Sequence, residues 1–151
     1  MIVSRMSVQT IGYDKLNQFR HVKFYRDVKG IMNHMRLHRS ILAPKFKAVV
    51  NEFNNQLGGL GIATWTNPKG GYFISLDVME GTAKRVYELC RDAGVTLTTA
   101  GATFPYGVDP KDRNIRIAPS YPPVDELLSA TKLLCLCVKL AACEKLLEKF
   151  E

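Results

Sequence analysis

Between Val28 and Leu57 the apolar side chains return at every third or fourth position: Ile31, Met35, Leu42, Phe46, Val49, Phe53 and Leu57, with His38 on the same stripe and Met32, Ile41 and Val50 widening it. That period over so many residues predicts one long amphipathic helix, whose apolar face must be covered by another layer. Pro44 lies inside the stretch and cannot donate to the carbonyl four residues back, so the helix is expected to kink there or restart as two. Gly58-Gly59 ends it.

The covering layer comes next in the chain. Residues 62–66 and 72–77 are β-favouring runs joined by Asn67-Pro68-Lys69-Gly70-Gly71, a connection that reads as a hairpin turn. A shorter helix is expected over 82–93, burying Val86, Leu89 and Cys90 and capped by Gly94. Residues 95–98 read as a third strand, 99–113 as an irregular loop dense in Gly, Pro and Asp, and 114–117 as a fourth strand. Pro122-Pro123 opens a last helix, with Val124, Leu127, Leu128, Thr131, Leu134, Cys135, Val138 and Ala142 at helical spacing. The expected fold is therefore α+β: a small, mostly antiparallel sheet of about four strands covered by helices. Residues 1–27 fit this layer poorly and read as a polar, turn-prone lead-in, leaving 28–151 as the domain proper.

Totals narrow the function classes. A chain of 151 residues suits one domain that buries about two thirds of its unfolded surface. No apolar run approaches the ~20 residues of a membrane span, and the start MIVSRMSVQT lacks the apolar stretch of a signal peptide, so a cytoplasmic protein is expected. Cys90, Cys135, Cys137 and Cys143 form neither a Cys-x-x-Cys pair nor a disulfide framework. The net charge of +7 is local: residues 1–50 hold ten Lys/Arg against two Asp/Glu, and the remainder eleven against twelve.

Candidate chemistry is sparse. His34 and His38 share helical spacing, but the intervening residues lack the glutamate of a zinc-protease helix, and no metal site is expected. The glycine clusters lack the strand-glycine-helix order and the Lys-Ser/Thr ending of a phosphate loop. Arg116 stands out. In Asn114-Ile115-Arg116-Ile117 the isoleucines point to a core and the arginine to the opposite face, where its fork is directed at water or at a bound carboxylate or phosphate.

Several stretches together resemble the C-terminal, smaller domain of class I/II pyridoxal-phosphate-dependent aminotransferases, in a bacterial aspartate-aminotransferase-like branch. They are Asn67-Pro68-Lys69-Gly70-Gly71-Tyr72-Phe73-Ile74, Ala93-Gly94-Val95, Gly101-Ala102-Thr103-Phe104 and Asn114-Ile115-Arg116-Ile117, in matching order and spacing. The lead-in from Ser7 to Gln18 is similar to the stretch just after the cofactor-binding lysine segment of that branch.

The resemblance implies that Arg116 binds the α-carboxylate of an amino or 2-oxo acid substrate, aspartate-like in kind, with Ser75 and Asn17 bordering the same cleft. It also implies pyridoxal phosphate as cofactor of the parent enzyme, held with the Schiff-base lysine on a large domain that this sequence does not contain. No catalytic residue is thus expected within the chain, which by itself is expected to be inactive and not to bind the cofactor. Its partners would be that large domain and a twofold-related subunit, with neither nucleic acid nor membrane. Two alternatives stay open: a regulatory or scaffolding domain that kept the fold without the chemistry, and a basic nucleic-acid-binding module using Arg20, Lys23, Arg26, Lys29, Arg36 and Arg39. Few aromatic residues interleave with those charges.

Overall fold

The computed structural model describes residues 2–9 and 13–148. They fall into two compact units, one up to Ile41 and one from Leu42 onward.

The first unit holds helices α1 (Ile2–Gln9) and α2 (Lys15–Tyr25) and the start of α3 (Val28–Leu57). This corrects the turn-prone reading of the lead-in; Thr10, Ile11 and Gly12 of that reading lie outside the described residues. The Asp14 carboxylate accepts from the Asn17 amide and so caps α2. Arg26, at φ 64°, breaks the chain out of α2, and the Asp27 carboxylate accepts from the Gly30 amide to start α3. No residue of α2 is buried, which removes the one-sided burial from which helical periodicity is read.

Helix α3 has the bounds its periodicity predicts, and it passes through Pro44 without restarting. Pro44 and Ser40 are both exposed, so the carbonyl deprived of its amide partner can turn to water.

The second unit is the sandwich. Strands β1 (Ala63–Trp65), β2 (Ile74–Val78) and β3 (Asn114–Ile117) form one antiparallel sheet in the order β1-β2-β3. Against it pack the later turns of α3, the short α4 (Ala83–Asp92) and the long α5 (Val124–Leu147). Burial along β2 alternates strictly, with Ile74, Leu76 and Val78 inside and Ser75 and Asp77 turned outward. Ile115 and Ile117 complete the inner face, which meets Phe53, Leu57, Val86, Leu134 and Val138. An Arg85–Glu144 pair, with contacts of 2.7 and 2.9 Å, joins α4 to α5 across an exposed surface.

The sheet has three strands where four were expected, because residues 95–98 enter no ladder. Helix α4 ends in a Schellman motif: Gly94, at φ 87°, donates to the Arg91 carbonyl and Val95 donates to the Cys90 carbonyl. The amide that would open the strand is thereby spent on the helix. Val95 and Leu97 still lean on the core.

Cys90, Cys135 and Cys137 are buried and Cys143 is exposed, all four as free thiols. Burial pushes the Cys90 thiol up, helped by neighbouring Cys137, and burial pushes Cys135 up to about 12. These are packing residues.

Candidate functional site

The outward face of β2 and β3 is polar. Residues opposite each other on this face follow from the register, which pairs Ser75 with Arg116 and Asp77 with Asn114. Asn114 is the hub: its side-chain amide donates to Ser75 Oγ at 2.8 Å and to Asp77 Oδ1 at 2.6 Å, and its own Oδ1 accepts from Thr103 Oγ1 at 2.7 Å. Arg113 adds a 3.5 Å ion pair to Asp77.

Arg116 stands at the edge of this network without joining it. Its guanidinium carbon lies 4.6 Å from the centre of the Phe73 ring, a cation–π contact that fixes the plane of the fork. Buried Ile115 and Ile117 fix the backbone on either side. The Arg116 Nε is itself buried, yet no hydrogen-bond acceptor among the described residues meets it. A buried donor left unsatisfied costs about 1–3 kcal/mol, so the arrangement favours an incoming acceptor. A planar, always-charged fork of fixed orientation selects a carboxylate or phosphate group.

The preceding loop is tied to the same face. Asp109 accepts from the amides of Lys111 at 2.9 Å, Arg113 at 2.8 Å and Asn114 at 2.8 Å. Gly101, at φ 87°, lets the loop cross itself, since a Cβ there would collide with the Gly107 carbonyl. Beyond β3, Lys45 Nζ donates to the carbonyls of Ser120 at 2.8 Å and Tyr121 at 3.2 Å, which anchors the strand's exit to α3.

Burial raises the Asp109 pKa, but the three backbone amides outweigh it and hold the carboxyl below its ordinary value. A carboxyl so depressed adds stability that is complete above its unfolded pKa and is lost as pH falls through the folded one. The amide chemical shifts of Lys111, Arg113 and Asn114 should therefore hold steady from neutral pH to about pH 4 and move together only below it, with no such transition in Asp109→Asn. A shared midpoint at or above the ordinary aspartate value would contradict the tie.

Of the residues singled out from sequence, Arg116 and Ser75 are brought together as cross-strand neighbours. Asn17 stands on α2 in the first unit, where its amide serves Asp14 and its carbonyl meets His21 Nδ1 at 2.7 Å. His34 and His38, also in the first unit, have ring centres 4.4 Å apart with their planes tilted by 54°, and Phe24 and Tyr25 lie edge-on to His34. Among the described residues no group of three or more His, Cys, Asp or Glu is placed to hold a metal ion. Sequence reasoning missed Phe73, Asn114 and Asp109. Strand alternation could have found Asn114, two residues from Arg116 and so on its face.

The N-termini of α2 to α5 offer no ready seat for a phosphate-bearing cofactor. The first turns of α2, α3 and α4 are each answered by a carboxylate: Asp14, Asp27, and Asp112, whose side chain accepts from Lys84 and whose carbonyl accepts from Thr82 and Ala83. Helix α5 opens on Asp125 and Glu126. Charge at these ends disfavours an anion. Lys45, Lys111, Lys139 and Lys145 are each engaged by oxygen acceptors.

Fold and site thus define a small α+β domain that presents a fixed cation with a buried, unmet donor. The chain matches the family described as aspartate amino-transferase over residues 2–150. It is 47% identical over 137 residues to an aspartate aminotransferase of Corynebacterium glutamicum, covering 91% of this chain and 32% of that protein. A Mycolicibacterium smegmatis protein named only to the class, aminotransferase, is 50% identical over 139 residues, covering 92% of this chain and 32% of its own length. The crystal structure of an aspartate transaminase from Corynebacterium glutamicum superposes with a TM-score of 0.86 at 46% identity, covering 94% of this chain and 34% of that one. The chain belongs to the aspartate aminotransferase family. It spans about a third of the length of the relatives it matches. The family implies pyridoxal phosphate as the cofactor of the whole enzyme.

Proposed function

We propose that residues 28–151 are the small C-terminal domain of a cytoplasmic aminotransferase that moves an amino group between an aspartate-like amino acid and a 2-oxo acid, with residues 1–27 as its lead-in. Arg116 holds the substrate's α-carboxylate. The observation that carries this reading is the guanidinium set on Phe73 with a buried, unanswered Nε. A bidentate pair on a rigid strand fixes the acid in one orientation, and so sets the Cα substituents in a defined direction for chemistry on the rest of the enzyme.

Ser75 borders the acid from the opposing strand: its Oγ accepts from Asn114 and keeps its own proton to donate. Asn17 belongs to the same cleft in the assembled enzyme, its side-chain amide engaged by no described residue. The large domain and a twofold-related subunit cover the lead-in, a role supported by the exposed Leu16, Phe19, Val22 and Phe24 of α2. The chain alone neither binds pyridoxal phosphate nor turns over.

The test is a titration of the isotopically labelled chain with aspartate, and separately with its dimethyl ester. Aspartate should shift the Arg116 Nε–H resonance and the ester should not. Equal shifts, or a cofactor-dependent turnover by the chain alone, would overturn the reading.

A further inference from the structure

On the polar face of β2 and β3 the hydrogen bonds of Asn114 admit a single arrangement. Its side chain carries two amide protons and one carbonyl oxygen. The nitrogen lies 2.6 Å from Asp77 Oδ1, and a carboxylate only accepts, so this end of the group is the donor. The second amide proton goes to Ser75 Oγ at 2.8 Å, and the oxygen takes the proton of Thr103 Oγ1 at 2.7 Å. Arg113, 3.5 Å from the other oxygen of Asp77, helps to hold the carboxylate in place. Both donors of Asn114 are thus spent and its oxygen faces Thr103, so it offers Ser75 nothing to donate to.

Ser75 is left with a proton that no acceptor among the described residues receives. The ladder fixes what stands beside it. Val78 donates to the Arg113 carbonyl, and in this phase Ile74 with Ile117 and Leu76 with Ile115 are the hydrogen-bonded pairs. Ser75 with Arg116 and Asp77 with Asn114 are then the closer, non-hydrogen-bonded kind, with Cα atoms about 4.5 Å apart. The main-chain groups of Arg116 turn away from β2, and its side chain leaves the sheet on the same face as the Ser75 hydroxyl. Asn114 is the diagonal neighbour of Ser75 on that face.

We propose that Asn114 is a positioning residue for the acid group at Arg116: oriented by Asp77, its amide fills one lone pair of Ser75 Oγ and leaves the hydroxyl proton to be given to a carboxylate oxygen beside the guanidinium. This deepens the reading of Arg116 as the carboxylate anchor and rests on it. Asn114 acts through Ser75 and not by contact. What it sets is polarity, because a serine hydroxyl rotates to suit whichever partner is present, and a neighbour that donates to it without accepting keeps its proton outward. An acceptor at position 114 would draw that proton inward and turn the Ser75 lone pairs on the acid. The carboxylate of Asp77 is the origin of this order, since it alone dictates which end of Asn114 faces the serine.

The experiment exchanges the two ends. Asp77→Asn combined with Asn114→Asp keeps the net charge, the volume and an amide–carboxylate hydrogen bond between the two positions, but makes position 114 an acceptor for the Ser75 proton. The labelled chain is titrated with pyruvate and with pyruvamide at constant ionic strength, and binding is read at the Arg116 Nε–H. In the exchanged chain pyruvate should bind at least about tenfold more weakly, the scale of one hydrogen bond to a charged group. Pyruvamide should stay within about twofold, since its amide can donate to the inward-turned hydroxyl, whereas a merely disturbed site would weaken both ligands alike. Ser75→Ala should reproduce the loss for pyruvate, and adding it to the exchanged chain should cost nothing further. Unchanged pyruvate affinity in the exchanged chain, equal weakening of both ligands, or losses that multiply with Ser75→Ala would each overturn the proposal. If the exchanged chain does not fold, Asn114→Ala alone and with Ser75→Ala decides: coupled losses uphold it and multiplied losses overturn it. An Arg116 resonance that neither pyruvate nor aspartate moves in the unaltered chain would remove the anchor itself, and this inference with it.

Discussion

Replacing Arg116 with glutamine in the whole enzyme should lower kcat/KM for amino acid substrates by about two to three orders of magnitude, the cost of removing one partner from a hydrogen-bonded charge pair. Lysine should restore little. It keeps the charge but not the planar fork, and a bidentate site discriminates between the two. The division between constants is informative: a cation that only attracts substrate would raise KM, whereas one that also sets orientation lowers kcat as well. The Phe73 contact predicts the second pattern, because a fork stacked at 4.6 Å on a ring is restricted in direction. Phe73→Leu should accordingly cost only about three- to fivefold, the size of an exposed cation–π contact, and should fall mainly on kcat. Steady-state kinetics with the visible cofactor spectrum as a control for assembly would check this. A loss below about threefold in Arg116→Gln, with the spectrum intact, would remove the arginine from the substrate site.

The second large effect concerns the core that holds the strand in place. Phe53 is fully buried on α3 and its ring lies 5.6 Å from that of Trp65. Phe53→Ala should cost about 3–5 kcal/mol, a large part of the total stability of a domain this size. Trp65 is the only tryptophan in the chain, so its emission reports the change directly: a red shift in the native baseline and a lower denaturation midpoint. Ile115→Val, which removes one methylene from the strand beside Arg116, should cost only about 0.5–1.5 kcal/mol. Similar midpoints for the two variants would mean that Phe53 is not the packing centre of this layer.

The parts of the fold legible in the sequence were those with one-sided burial. Helix α3 could be bounded to the residue because its apolar stripe is long and Gly58-Gly59 stops it. Strand β2 was found but placed early, since Tyr72 and Phe73 favour β structure and yet precede the first ladder pair, Ile74 with Ile117. That displacement hid the role of Phe73, whose ring serves the arginine rather than the sheet. Residues 95–98 misled for a different reason. Their alternation is genuine, with Val95 and Leu97 against the core, but a strand needs a hydrogen-bonding partner as well as a pattern, and α4 had already claimed the first amide. Helix α2 escaped because none of its residues is buried in this chain. At the site, the direction of Arg116 followed from simple alternation, and Ser75 from the hairpin. The web around Asn114 and Asp109 did not, because it depends on a register and on loop crossings that local patterns do not encode.

The unfinished sheet has a consequence for the molecule in bulk solution. An outermost strand with vacant main-chain groups is a template on which foreign β segments can grow into aggregates. Here the vacancy falls at a cation, and the chain runs through Pro119, Pro122 and Pro123 within six residues of the strand's end, where no further ladder can be extended. The guanidinium proposed to receive an acid group would therefore double as a guard on an exposed border, and neutralising it would trade solubility as well as affinity.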